Sequence, residues 1–300
     1  MIPKQKLNVN APKAITDFEA VAKEFELSEK LYRIIFRGKG LEFDKYREYS
    51  PDEDASNIDW KASLRSNKLM AKQYIEEREL NIIFVVDVSE NMLLGSYEKL
   101  KCEYAVELFA AMAHLMVVNN DRVGLILYSN GVKNYFPPKG GNNNFFFLLD
   151  VLSDPAIYGG PSKTNQMLNF LLDYLDKSID SVIIVSDFIK VNEKMVNDLF
   201  LISKKYETIG VMVKDLLDKT FPDIDREIVI EDPETGEQIL INPKMIKRIY
   251  EKNAFDNEKK VKNIFKNGDV DLLELMTDRP FAYDLVDFLK ERVKSRNFFM

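Results

Sequence analysis

Five oxygen-bearing side chains stand where they can meet around one point. Asp87, Ser89 and Asn91 occupy alternate positions directly after the apolar run Ile82-Ile-Phe-Val-Val86, and Asp187 follows a second such run, Val182-Ile-Ile-Val-Ser186. Thr164 comes shortly after Gly159-Gly-Pro161 and offers a hydroxyl from a third loop. A hydroxyl and an amide oxygen are neutral ligands, so the two aspartates must supply the charge. Such a set, with a position left open, suits a hard divalent cation, Mg²⁺ or Mn²⁺. Glu90 lies between these residues and is a further carboxylate able to intrude. A plainer reading stands beside the metal one, since Asp, Ser, Asn and Thr are all favoured where helices start and Asp187 can simply end its strand.

The elements that must position these residues are legible from pattern. Short continuous runs of β-branched residues read as strands buried on both faces, hence a parallel sheet. Open α/β sheets bind ligands at the carboxyl ends of their strands. From residue 81 the pattern alternates: strands at 81–86, 123–128, 132–136, 181–186, 207–213 and 270–275, and helices at about 97–119, 143–152, 164–177, 193–204, 243–266 and 281–296. The second half of the helix at 97–119 is apolar almost all round, which predicts packing on more than one side. Alternation of this kind predicts an α/β fold, a doubly wound, mostly parallel, Rossmann-like sheet flanked by helices. A strand–turn–strand pattern at about 226–241 predicts an inserted β-hairpin. Residues 1–80 lack the alternation and are assigned to a small N-terminal helical or irregular subdomain, with residues 81–300 as the α/β domain. Within the former, residues 1–15 read as a loose lead-in, a capping-box spacing at Thr16-Asp-Phe-Glu19 opens one or two short helices through about Arg37, and Gly38-Lys-Gly40 breaks them. Pro51-Asp-Glu-Asp54 reads as a turn, 61–65 as a short helix and 69–75 as a strand.

Composition narrows the function. With 49 acidic against 42 basic residues the net charge is −7, which argues against non-specific binding to nucleic acid or an anionic membrane. Cys102 is the only cysteine, so no intrachain disulfide is possible, and it is expected to be buried and inert. His114 is the only histidine, which excludes any site needing two, and no Ser-His-Asp triad has support. Glycine-rich phosphate loops are missing, so ATP hydrolysis, if needed, has to come from a partner. Neither a secretory signal nor a membrane span is read from the chain, and a cytoplasmic location is expected.

The Asp87, Ser89, Asn91, Thr164 and Asp187 pattern resembles the metal-ion-dependent adhesion site (MIDAS) of von Willebrand factor type A domains, Asp-x-Ser-x-Ser with a distant Thr and a distant Asp. Asn91 stands where that motif has Ser, and its longer side chain changes the reach. The segment before the core is similar to the signature of the DUF58 family: Gly38-Lys-Gly-Leu-Glu-Phe43, Arg47-Glu-Tyr49, Asp54, Ile58-Asp-Trp60, Ser63-Leu-Arg65, Glu76-Glu-Arg-Glu79 and Asp121-Arg-Val-Gly124. The resemblance implies a role beside MoxR-type AAA+ ATPases in assembly or maturation of protein complexes. Arg47, Asp59 and Trp60 are expected to build the junction between the small subdomain and the core.

The expected function is a non-enzymatic, metal-dependent protein-interaction module, with a carboxylate from a partner protein completing the ion's coordination. Two alternatives stay open. One is a metal-dependent phosphoester hydrolase with Asp87 as nucleophile, although Ser89 occupies the position where that chemistry wants a second Asp. The other is a structural scaffold with a degenerate metal site, which Asn91 favours.

Overall fold

The computed structural model describes residues 6–25, 42–50, 55, 58–75, 79–232 and 236–295. The expected helical stretch between residue 26 and Arg37, the break at Gly38-Lys-Gly40, the turn Pro51-Asp-Glu-Asp54, the signature residues Glu76-Glu-Arg78 and the tip of the inserted hairpin lie outside the described residues.

Six strands form the main sheet: β3 (Asn81–Asp87), β4 (Arg122–Ser129), β5 (Gly131–Lys139), β6 (Ser181–Ser186), β7 (Glu207–Lys214) and β10 (Asp271–Met276). Their order is β10-β7-β6-β3-β4-β5. The first five run parallel and β5 pairs antiparallel on the edge. Side chains alternate between the faces of a strand, so Ile82, Phe84 and Val86 enter one core while Ile83 and Val85 enter the other. Helices cover both faces, which is why the central strands are apolar throughout.

Helix α3 (Lys101–Val118) lies against the first face and is buried along nearly all its length, as its all-round apolarity predicts. Helix α1 (Ala11–Glu24) covers its outer side. It starts earlier than the Thr16 capping box suggests. Asn10 caps it by accepting from Lys13 N, and Pro12 fits its first turn. Thr16 is already inside and bonds back to Pro12 O at 3.0 Å. Two α3 carboxylates hold the lead-in segment, Glu103 accepting from Asn8 N and Glu107 from Asn10 N, each at 2.6 Å.

Residues 42–75 are more regular than their composition suggests. Strands β1 (Glu42–Glu48) and β2 (Met70–Ile75) pair antiparallel in a sheet of their own, around helix α2 (Trp60–Ser66). Asp59 caps α2 and also accepts the Tyr46 hydroxyl at 3.1 Å. Trp60 is 65% exposed, so its indole does not form the junction expected of it.

Strand β5 runs on through Pro137 and Pro138, beyond its expected end at residue 136. An edge strand tolerates proline because its outward N–H groups need no partner. Helices α4 (Asn142–Ser153), α5 (Thr164–Tyr174), α6 (Met195–Lys205), α7 (Pro243–Asn267) and α8 (Ala282–Ser295) complete the layers. Phe145 is core, whereas Phe146 and Phe147 are both exposed, at 62% and 51%. The inserted hairpin is present as β8 (Ile228–Glu231) and β9 (Gln238–Ile241).

Candidate metal centre

Strands β3 and β6 are direct neighbours, with Val86 opposite Val185. Asp87 and Asp187 therefore emerge at the same carboxyl edge, both buried. The loop after β3 is fixed by its surroundings: Val88 N donates to Tyr128 O (2.8 Å), Gly159 N to Val88 O (2.8 Å) and Glu90 N to Gly160 O (2.9 Å). Gly159 and Gly160 have φ of +133° and +83°, a region other residues avoid. A Cβ on Gly159 would sit 3.3 Å from Glu90 Oε2. Glu90 does not intrude freely, because its carboxylate accepts Gly160 N at 3.1 Å.

Asp87 is surrounded by donors. Its Oδ1 accepts Ser89 N at 2.9 Å, and its Oδ2 accepts the hydroxyls of Ser162 at 2.8 Å and Ser186 at 2.7 Å. Burial and then the charge of Asp187 nevertheless push its carboxyl above the usual range, against the pull of those donors. Ser89 Oγ is fully buried and makes no well-formed hydrogen bond among the described residues, although its hydroxyl is close enough to Asp87 to help draw that carboxyl down. Thr164 is buried at the start of α5, which is anchored to the end of β4 by Lys163 N donating to Ser129 O at 2.7 Å. Asn91 is buried two residues beyond Ser89 in the same loop, inside a single turn of 3-10 helix, Glu90–Leu93, with its carbonyl accepting Leu94 N. The buried Tyr128 phenol lies beside these groups, and burial followed by the charge of Asp87 raises its pKa well above the ordinary value.

Asp187 has a cation of its own. Lys101 Nζ donates to Asp187 Oδ2 at 2.8 Å and reaches Asp218 at 3.2 and 3.3 Å. Lys101 is 0% exposed. Burial alone would depress its pKa, but attraction to Asp187 and Asp218 outweighs that and raises it. Asp187 Oδ1 accepts Ile189 N at 3.2 Å, and Phe188 between them takes φ +50°. A bulky residue in the left-handed region is strained, and such strain gathers at functional sites.

The sequence reading did not find Lys101, Asp218, Ser162 or Ser186. One signal was available for Lys101. A lysine in the first turn of a long apolar helix opposes the helix dipole, which calls for carboxylates nearby. Among the described residues no group of three or more His, Cys, Asp or Glu side chains is arranged to hold a metal. Any ion here would rest on two carboxylates and neutral oxygens. Cavities of about 550 and 620 Å³ lie along α1, and neither is lined by the five candidate residues.

The sequence profile of DUF58, described as a protein family of unknown function, matches residues 45–260. The chain belongs to the DUF58 family. The signature of this DUF58 chain has a structural explanation where it is described. Asp121 Oδ1 accepts Leu80 N at 2.8 Å, Glu79 pairs with Arg122 at 2.5 Å, and Gly124 lets β5 approach β4. Uncharacterized proteins of Mycobacterium tuberculosis and Mycobacterium bovis are each 25% identical over 260 residues, covering 85% of this chain and 80% of theirs. Among solved structures, the conserved hypothetical protein BatB from Bacteroides thetaiotaomicron is similar at a TM-score of 0.48 and 14% identity, over 72% of this chain and 99% of that one. The SpRpn10 VWA domain is similar at 0.41 and 12%, over 69% and 93%. The α/β fold is carried by the sheet itself: five parallel strands, one antiparallel edge strand and helices on both faces. Among the described residues no helix is long and apolar enough to cross a membrane.

Proposed function

We propose that this DUF58 chain is a non-enzymatic protein-interaction module whose carboxyl sheet edge takes a divalent metal ion and, through it, a carboxylate of a partner protein. The observation that carries this reading is Ser89 Oγ, a buried hydroxyl that makes no well-formed hydrogen bond among the described residues and lies beside the buried Asp87 carboxylate. An orphaned buried polar atom is costly, and a metal–oxygen bond would satisfy it. Ser89, Asn91 and Thr164 would hold the ion as neutral ligands, with Asp87 and Asp187 supplying charge directly or through water. When bound, Mg²⁺ or Mn²⁺ supplies a Lewis-acidic position for an incoming carboxylate.

The chain's own residues have defined tasks in this reading. Ser162 and Ser186 donate hydrogen bonds to Asp87 and hold its carboxylate in one orientation. The Gly159-Gly160 turn locks the loop that bears Ser89. The partner class favoured by the family resemblance is a MoxR-type AAA+ ATPase or its client. The test is capture of such an ATPase by the purified chain, as wild type and as Asp87→Ala, with and without a chelator. Loss of capture on chelation and in the variant is expected, and capture indifferent to both overturns the reading.

One observation favours a second reading, a scaffold with a degenerate site. Lys101 already places a positive charge on Asp187, so the edge is partly neutralised without any metal. In that case Mg²⁺ and Mn²⁺ at millimolar concentration produce neither heat nor a shift in melting temperature.

A further inference from the structure

The Lys101 ammonium does not belong to the expected ligand set, yet it is bonded to one of its members, Asp187. It is fully buried, 2.8 Å from Asp187 Oδ2 and 3.2 Å from Asp218 Oδ2. Asp187 and Asp218 come from different segments, the loops after β6 and β7, and Lys101 bridges them. A second lysine, Lys214 at the end of β7, is buried as well. It lies within electrostatic reach of Asp218, Asp187 and Lys101. Two carboxylates, Asp187 and Asp218, thus face two ammonium groups. A divalent ion brought to Asp187 would meet Lys101 at contact distance, and like charges that close in a low-dielectric interior repel strongly.

We infer that Lys101 is a built-in competitor for the ion site, so that a divalent metal gains Asp187 only when the Lys101 ammonium withdraws onto Asp218. The inference rests on the metal reading above and adds what regulates that site. Asp218 is suited to the receiving role. Both of its oxygens already lie within 3.3 Å of Lys101 Nζ, and it is held in place by accepting Asp215 N at 2.8 Å. A long unbranched lysine side chain, anchored at the first turn of α3, needs only a change of rotamer to exchange one carboxylate for the other. The metal's affinity is then set by how Lys101 divides itself between Asp187 and Asp218.

The test is a Mn²⁺ titration of the full chain, read by calorimetry and by melting temperature, for wild type, Lys101→Met and Asp218→Asn. Lys101→Met is expected to bind Mn²⁺ at least about tenfold more tightly than wild type. Asp218→Asn, which leaves Lys101 with Asp187 alone, is expected to bind several-fold more weakly. If Lys101→Met folds only when Mn²⁺ is present, that supports the inference too, since the metal then replaces the missing ammonium. If it does not fold under either condition, Asp218→Asn decides: weaker binding supports the inference and unchanged binding overturns it. Equal affinity in all three proteins overturns the competition while leaving the metal reading intact. Binding by Lys101→Met with none by wild type at millimolar Mn²⁺ upholds the competition and removes the metal-dependent function of the native chain. Binding by neither overturns both.

Discussion

Ser186 and Asp87 end neighbouring strands and are joined across them, the Ser186 hydroxyl donating to Asp87 Oδ2 at 2.7 Å. Both groups are buried, so the bond couples the β6 end to the end of β3 and the loop that bears Ser89. Replacing Ser186 by Ala leaves a buried carboxylate short of a donor, a loss of about 1.5–3 kcal/mol for a hydrogen bond to a charged group. Urea unfolding of Ser186→Ala is expected to show that loss with an unchanged slope. A change below a few tenths of a kcal/mol would mean that the Ser162 hydroxyl alone satisfies Asp87.

Gly124 sits where β5 crowds β4. A Cβ there would stand 2.8 Å from both Phe136 O and Pro138 N. These are backbone atoms of a strand held by two prolines, so little can yield. Gly124→Ala is expected to lower stability by about 1–3 kcal/mol or more, measured by thermal unfolding. This is a physical reason for the glycine in the Asp121-Arg-Val-Gly124 signature.

Glu274 carries the pH dependence at the far edge of the sheet. It pairs with Lys219 at 2.5 Å and Lys262 at 2.7 Å. Burial raises its pKa, but the two lysines outweigh that and hold it below the ordinary 4.5. A carboxyl with a depressed folded pKa stabilises the fold above its unfolded value and loses that contribution as the pH falls through the folded one. Both lysines are partly exposed, so the contribution is discounted to about 1 kcal/mol or less. Glu274→Gln is expected to be less stable than wild type near neutrality, with the gap closing in acid. A gap that persists below the carboxylate range would contradict the pairing.

Cys102 follows Lys101 into the core. Burial, with Glu103 next to it, pushes its thiol up to about 12. A thiol reagent at mildly alkaline pH is expected to leave the native protein unlabelled and to label it fully in denaturant. Fast labelling of the native state would show that α3 opens at its first turn.

The sheet edge was legible because its strands are continuous apolar runs that each end in Asp. Their adjacency follows from parallel α/β topology. The inserted hairpin and the burial of α3 were also readable from local pattern. The small β1–β2 sheet was not, since charged and aromatic residues alternate there without a clean period. Strand β5 was cut short because Pro137 and Pro138 read as breakers unless the strand is known to be an edge. The largest omission was Lys101. Its partners lie 86 and 117 residues away, a juxtaposition that no local spacing reveals. The choice of Thr164 overlooked Ser162, two residues earlier, whose hydroxyl is the one bonded to Asp87.

The central claim is that the β3 and β6 edge holds a divalent ion through Ser89. It is tested most directly by counting Mn²⁺ bound to the full chain by electron paramagnetic resonance, for wild type and Ser89→Ala. Circular dichroism confirms that both are folded. One ion per wild-type chain and none on Ser89→Ala is the result expected. Equal binding by the two proteins, or none by wild type at millimolar Mn²⁺, would contradict it.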